Sequence, residues 1–232
     1  DAPMVRYYEA PLAAGRQKMD IKRAWEQRLN EVSAVFKTCP ELSEGSASFS
    51  FQILRTYFVN SEGSLVVQNR VATRVMLMAS LKAADGMELP LNRDYFAYTP
   101  DDLPDNDRMI ADARDMIKRL LALRDAPVAD PYTGPAILSG PASGVFFHEI
   151  FGHRLEGHRL KSGGQTFKKM VGEQVLPVEF QVYCAPLLKR YADTDLYGHY
   201  VYDDEGVKAR RVDNVVNGVL KEFLMSRVPL DG

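Results

Sequence analysis

The sequence predicts a mixed α+β fold: long antiparallel β-strands with two or three covering helices, and a motif helix following a short strand. Three observations carry that reading. Apolar residues recur at helical spacing near the N-terminus, two long stretches of alternation follow, and a short apolar run between glycines leads into a histidine-rich helix.

Residues 1–17 are mixed and contain proline, so they read as a loop or linker. From about residue 19 to 37, Ile21, Trp25, Leu29, Val32 and Phe36 fall at helical spacing, with Asp20 as a candidate cap. A single apolar stripe of this kind packs on a sheet, with Trp25 in the core. The period then drops to two. Phe49, Phe51, Ile53, Tyr57 and Val59 alternate with Ser50, Gln52 and Thr56. Asn60-Ser61-Glu62-Gly63 has turn composition. After it, Leu65, Val67, Val71, Val75, Leu77 and Leu81 share one parity, while Gln68, Arg70 and Arg74 take the other. That is a long hairpin with one buried and one wet face.

Residues 83–107 hold Gly86, Pro90, Pro100 and Pro104 and are expected to be mostly loop. Ile110, Ala113, Ile117, Leu120 and Leu121 mark a helix over 107–124, acidic at its start and basic at its end as the helix dipole favours. Pro127 stops it. Ala136-Ile137-Leu138, between Gly134 and Gly140, reads as a short strand, and a helix capped by Ser143 carries residues 144–156. Residues 157–176 read as a mobile connection, 178–184 as a strand, 203–206 as an acidic turn, and 212–223 as a hairpin around Asn217-Gly218. Two regions are expected: 1–130, helix plus hairpin plus helix, and 131–232, the histidine-rich helix with a β-rich continuation.

Composition excludes several functions. With 46% hydrophobic and 26% charged residues the chain is globular in character. Its 29 basic and 31 acidic side chains lack the basic excess of a nucleic-acid binder, so no nucleic-acid partner is expected. No apolar run approaches the ~20 residues that cross a bilayer, and no membrane partner is expected. Two cysteines, Cys39 and Cys184, are too few for a disulfide scaffold or a four-cysteine zinc module. They fit a reducing, cytoplasmic home. The first residues have no apolar signal core and no initiator Met, which suggests a piece of a longer protein.

Three of the four histidines, His148, His153 and His158, lie close together, and the compact pattern is H-E-x-x-x-H. In H-E-x-x-H zinc hydrolases two ligands share a helical face and the Glu is the general base. Here the spacing is one residue longer. Positions i and i+5 stand about 140° apart around a regular α-helix. Two imidazoles on one zinc need donor nitrogens roughly 3.3 Å apart, given Zn–N bonds near 2.0–2.1 Å. Either the helix is wound locally wider, as in a π-bulge eased by Gly152, or the pair is not a metal site.

The stretch Gly144-Val145-Phe146-Phe147-His148-Glu149-Ile150-Phe151-Gly152-His153-Arg154-Leu155-Glu156-Gly157 closely resembles the signature of the TldD/PmbA metallopeptidase family, approximately G-V-L-x-H-E-x-x-G-H-x-L-E-G. Tyr202-Asp203-Asp204-Glu205-Gly206 followed by Val219-Leu220 is similar to a second block, and the turn at 60–63 to a third; together they span about residues 46–224. The resemblance is to the TldD-type, catalytic subunit. It implies that His148 and His153 ligate Zn2+, that Glu149 is the catalytic glutamate, and that the peptide substrate is an unfolded or leader peptide. It also implies a hetero- or homodimer with a TldD/PmbA-type subunit. The third ligand in the family, a Cys, lies in a C-terminal domain; Cys184 and Cys39 do not match it, so the chain is expected to be a middle fragment, its region 131–232 the truncated start of the catalytic domain. The alternative is a non-catalytic, metal-free subunit that positions peptides.

Other residues have plainer readings. Glu173 lies downstream where some zinc peptidases place a ligand, but no helical stripe surrounds it. Glu156 closes the helix before Gly157, although with His158 it could form a second donor set; His158 stands where the family has Asp. His199 reads as a surface turn residue and Cys184 as an inert core thiol. Asp193, Asp195 and Asp203 to Glu205 do not follow a calcium-loop spacing. Lys168-Lys169 and Arg210-Arg211 are too few for a nucleic-acid footprint.

Overall fold

The computed structural model describes residues 4–12, 17–161 and 167–227. In chain order the elements are β1 (Arg6–Tyr8), α1 (Gln17–Ala34), β2 (Leu42–Val59), β3 (Leu65–Lys82), β4 (Glu88–Ala97), α2 (Asn106–Arg124) and α3 (Gly140–Ile150). They continue with β5 (Val182–Cys184), β6 (Arg190–Tyr191), β7 (Thr194–Asp195), β8 (Val212–Val216) and β9 (Val219–Leu220). The architecture is mixed α+β, several sheets flanked by helices. Among the described residues no helix is long and apolar enough to cross a membrane.

Two compact units divide the chain. Among the described residues, one takes in those within 4–130 and 189–197, the other those within 131–188 and 198–227. In the first, β2 and β3 run antiparallel over their whole length, from Val59↔Leu65 to Leu42↔Leu81. Their turn closes where Gly63 takes a positive φ of 85° and the Asn60 side chain accepts the Ser64 N–H at 3.0 Å. The other edge of β3 is shared end to end: β1 pairs in parallel with Leu65–Val67, and β4 pairs antiparallel with residues 73–82.

β4 corrects the expectation of a loop over 83–107. Leu89, Leu91, Arg93 and Tyr95 do alternate, but Arg93 sits at an inward parity and Pro90 breaks the pattern to the eye. An edge strand tolerates Pro because half its N–H groups lack a ladder partner. The Arg93 guanidinium reaches Asp112 and Asp115, both at 3.9 Å.

Helix α1 supplies the stripe that the periodicity predicted, and α2 does so in part: Ala113 and Leu120 are buried, Ile110, Ile117 and Leu121 only partly, while Met109 and Met116, outside the expected stripe, are buried fully. Trp25, Val32 and Phe36 from the α1 end meet Val75, Leu77 and Leu81 of β3 and Met109, Met116 and Leu120 of α2 in one core. Trp25 stacks on Phe49 with centroids 4.4 Å apart. Asp105 caps α2, accepting the Arg108 N–H at 2.8 Å. The β6–β7 hairpin completes this unit: Tyr98 donates its N–H to Asp195 at 3.2 Å and its O–H to the Leu196 carbonyl at 2.5 Å.

The second unit has its own core of Phe151, Leu155, Leu160, Phe167, Val215, Leu220 and Phe223. The β8–β9 hairpin turns at Asn217 and Gly218, with φ of 50° and 76° as a two-residue turn of its kind requires. Three expectations are corrected here. Residues 136–138 form no ladder, and Ile137 is fully exposed. Residues 178–181 leave the strand because Pro177 starts a turn closed by the Phe180 N–H on its carbonyl at 3.0 Å, so only Val182–Cys184 pairs with β8. The connection at 157–176 contributes buried Leu160 and Phe167; residues 162–166 of it lie outside the described residues.

Candidate metal centre

Helix α3 is capped four residues earlier than expected. Ser139 occupies the cap position with extended backbone, Pro141 sits in the first turn, and the Ser143 N–H is already bonded to the Ser139 carbonyl at 2.7 Å. The helix carries His148 and Glu149 and then stops. Its last bond runs from the Phe151 N–H to the Phe147 carbonyl at 3.0 Å. Phe151 leaves helical geometry at φ −126° and ψ −48°, and its side chain is buried against Phe167 with centroids 5.2 Å apart. A 3-10 turn, Gly152–Leu155, follows and carries His153.

This break resolves the spacing problem. No π-turn occurs in the segment; the chain exits the α-helix, re-aims at Phe151, and resumes with tighter winding. The His148 and His153 rings consequently lie with centroids 4.5 Å apart at 67° instead of on opposite faces of one spiral. Gly152 plays a smaller part than expected. Its φ is not positive, and a Cβ there would meet the Phe147 carbonyl at an ordinary 3.8 Å.

One ligand atom each from His148, Glu149 and His153 lie within 4.8 Å of one another, the sole group of this kind among the described residues. The Glu149 carboxylate faces a nitrogen of each ring, Oε1 at 3.9 Å from His148 Nε2 and Oε2 at 3.9 Å from His153 Nε2. The side chains of His148 and Glu149 are 63% and 62% exposed, that of His153 34%. Two imidazole nitrogens are donors that suit zinc, and the carboxylate stands beside them.

His153 is the better anchored ring. Its Nδ1 lies 2.6 Å from Glu156 Oε1, and the Arg159 guanidinium binds the other oxygen of that carboxylate. The bond from Arg159, joined by that from His153 and opposed by partial burial, holds the Glu156 carboxyl below the usual carboxylate range. Sequence reasoning assigned Glu156 to helix closure and missed this pair. No local period signals the pair, because Glu156 has extended backbone between the 3-10 turn that carries His153 and the one that carries Arg159.

The remaining candidates stand elsewhere. Glu173 is exposed and its backbone carbonyl accepts the Leu220 N–H. His158 faces Glu156 at 3.7 Å, and His199 Nδ1 lies 2.9 Å from the Pro186 carbonyl. Asp195 pairs with Arg190 at 3.2 Å, and Asp203 accepts the N–H groups of Glu205 and Val207 to close its turn. Arg210 and Arg211 are held by Glu222 and Asp213. Cys39 and Cys184 are free thiols, both raised in pKa chiefly by burial.

Residues 131–229 match the family described as PmbA/TldA metallopeptidase C-terminal domain. A metalloprotease of Methanocaldococcus jannaschii is 28% identical over 188 residues, which cover 78% of this chain and 39% of that protein. A metalloprotease of Methanothermobacter thermautotrophicus is 30% identical over 176 residues, covering 73% of this chain and 36% of that protein. The chain thus spans well under half the length of these relatives. A solved structure from Bacteroides thetaiotaomicron, described as a candidate modulator of DNA gyrase, has the same fold at a TM-score of 0.69. It is 12% identical and covers 95% of this chain and 50% of its own. The family model and the two metalloproteases give the chain a family-level link to the TldD/PmbA metalloprotease superfamily, and the solved structure shows the fold alone.

Proposed function

We propose that this chain carries the zinc-binding and catalytic segment of a TldD-type metallopeptidase that cleaves unfolded or leader peptides, working in the cytoplasm as a dimer with a TldD/PmbA-type subunit. In this reading residues 131–232 belong to the catalytic domain. The observation that carries the reading is the convergence of His148, Glu149 and His153 on one point across the break at Phe151.

His148 and His153 would hold the ion through ring nitrogens. Zinc, when bound, supplies the Lewis acidity that makes water a usable nucleophile near neutral pH. Glu149, exposed and next to both rings, is placed to take a proton from the attacking water and hand it to the departing amine. The exposure of α3, whose residues include no buried side chain, leaves the approach to Glu149 open to an extended peptide.

The test uses the intact protein with an unfolded peptide substrate. Glu149→Gln is expected to lower cleavage about 10²- to 10⁴-fold, the usual contribution of a general base, with zinc content unchanged. Unchanged cleavage in that variant, together with a wild-type protein free of stoichiometric zinc, would instead leave a metal-free subunit that positions peptides.

A further inference from the structure

We propose that Glu156 and Arg159 are positioning residues for His153: the carboxylate fixes which ring nitrogen is left free and where it points, and the guanidinium holds the carboxylate in place. This deepens the metallopeptidase reading and rests on it for its purpose.

A carboxylate that is ionised only accepts hydrogen bonds. Glu156 Oε1 at 2.6 Å from Nδ1 therefore places the proton of His153 on Nδ1. Nε2 then keeps the lone pair, and Nε2 is the nitrogen that faces Glu149 at 3.9 Å. An Arg159 guanidinium nitrogen also lies 3.3 Å from Nδ1, but a nitrogen already bearing a proton does not accept a second donor, so the carboxylate contact decides the tautomer. Arg159 acts on Glu156 itself, through Oε2. The 3-10 turn Gly157–Leu160 makes this possible: the Arg159 backbone N–H is bonded to the Glu156 carbonyl at 3.1 Å, which folds the guanidinium back onto the same residue's side chain. The Glu156 backbone is in turn bridged to Leu224. His158, at 3.7 Å from Oε2, is the remaining neighbour of this carboxylate. A ring held at Nδ1 by a fixed carboxylate presents its other nitrogen to a metal with its orientation already set.

The experiment compares wild type, Glu156→Gln and Glu156→Ala in the intact protein. The metal-free forms, labelled with 15N-histidine, are examined by NMR at pH 8, and zinc affinity is measured by chelator competition. Wild type is expected to show His153 with its proton on Nδ1. Glu156→Ala is expected to lose that preference and to bind zinc about 10- to 100-fold more weakly, the usual cost of removing a carboxylate behind a ligating His. Glu156→Gln keeps the shape and a neutral acceptor, so a smaller but measurable loss is expected; it decides the matter if the Ala variant does not fold. A wild-type ring protonated on Nε2, or a Gln or Ala variant identical to wild type in both measurements, overturns the proposal. If the tautomer responds to Glu156 while wild type binds no zinc, the positioning stands and the peptidase reading fails. If zinc binds tightly and neither measurement responds, the reverse holds.

Discussion

Gly157→Ala tests how firmly the segment behind the metal site is packed. Gly157 follows Glu156 and is buried. Its N–H donates to the Leu224 carbonyl at 2.7 Å, and Leu224 returns its own N–H to Leu155 at 2.8 Å. A Cβ on Gly157 would stand 2.7 Å from that same Leu224 oxygen and would also strike the Met225 sulfur. Met225 is half exposed and can swing aside. The Leu224 carbonyl cannot move without giving up the backbone bonds that fix the 155–157 turn. Overpacking against backbone costs about 1–3 kcal/mol. At about 2–4 °C per kcal/mol for a protein of this size, a cost of about 2 kcal/mol lowers Tm by about 4–8 °C. Gly152→Ala is the internal control, because its Cβ meets only ordinary contacts at 3.8 and 3.9 Å. Thermal unfolding followed by circular dichroism reads both. A Gly157→Ala variant that melts with wild type, or a Gly152→Ala variant that loses more than it does, refutes the packing argument.

Three further outcomes are expected. Leu77, wholly buried at the centre of the first core, should cost about 2–5 kcal/mol as Ala in urea unfolding, whereas Leu54→Ala on the wet face of β2 should stay within about 0.5 kcal/mol. Tyr95→Phe should cost about 1.5–3 kcal/mol, because the Tyr95 hydroxyl donates to the Asp112 carboxylate at 2.7 Å. Stability should fall with acid through Asp112: burial pushes its carboxyl up, but the bonds from Tyr95 and Arg108 and the nearby arginine charges outweigh burial and hold it below the usual range. A lowered folded pKa adds stability that is full above the unfolded value near ~3.9 and is lost as pH drops from there through the folded value, so Asp112→Asn should flatten the acid limb of a stability–pH curve.

The sequence made some of this architecture readable and concealed the rest for physical reasons. The β2–β3 hairpin was legible because the half away from its turn covers the core with one face, which forces alternation around Phe49, Val75, Leu77 and Leu81; near the turn Tyr57, Val59 and Leu65, of the parity read as buried, are exposed. The α1 stripe was legible because it covers the same core, whereas on α2 the buried Met109 and Met116 lie outside the face that was read. β4 was hidden by Pro90, admissible on an edge, and by Arg93, whose inward position is compensated by Asp112 and Asp115. Ile137 looked like strand core by composition, yet it has no ladder to join among the described residues. At the site, the three residue types and their proximity could be read directly. The end of α3 at Ile150 was not read, although Gly152 directly follows the cap residue Phe151; the helix stops there as that ring turns into the core against Phe167. Tertiary packing therefore decided the geometry that local spacing had left open between a wider helix and no site. Glu156 does end the helical segment, as expected, but its contact with His153 follows from the extended exit of the chain at that residue, which no local spacing marks.

The central claim is that His148 and His153 share one cation. Anomalous diffraction at the zinc edge from crystals of the intact protein tests it most directly. The account predicts a single strong peak about 2.0–2.1 Å from one nitrogen of each ring, with Nε2 as the His153 donor. Zinc bound elsewhere, or two rings turned away from each other around an unbroken α-helix through residue 153, contradicts it.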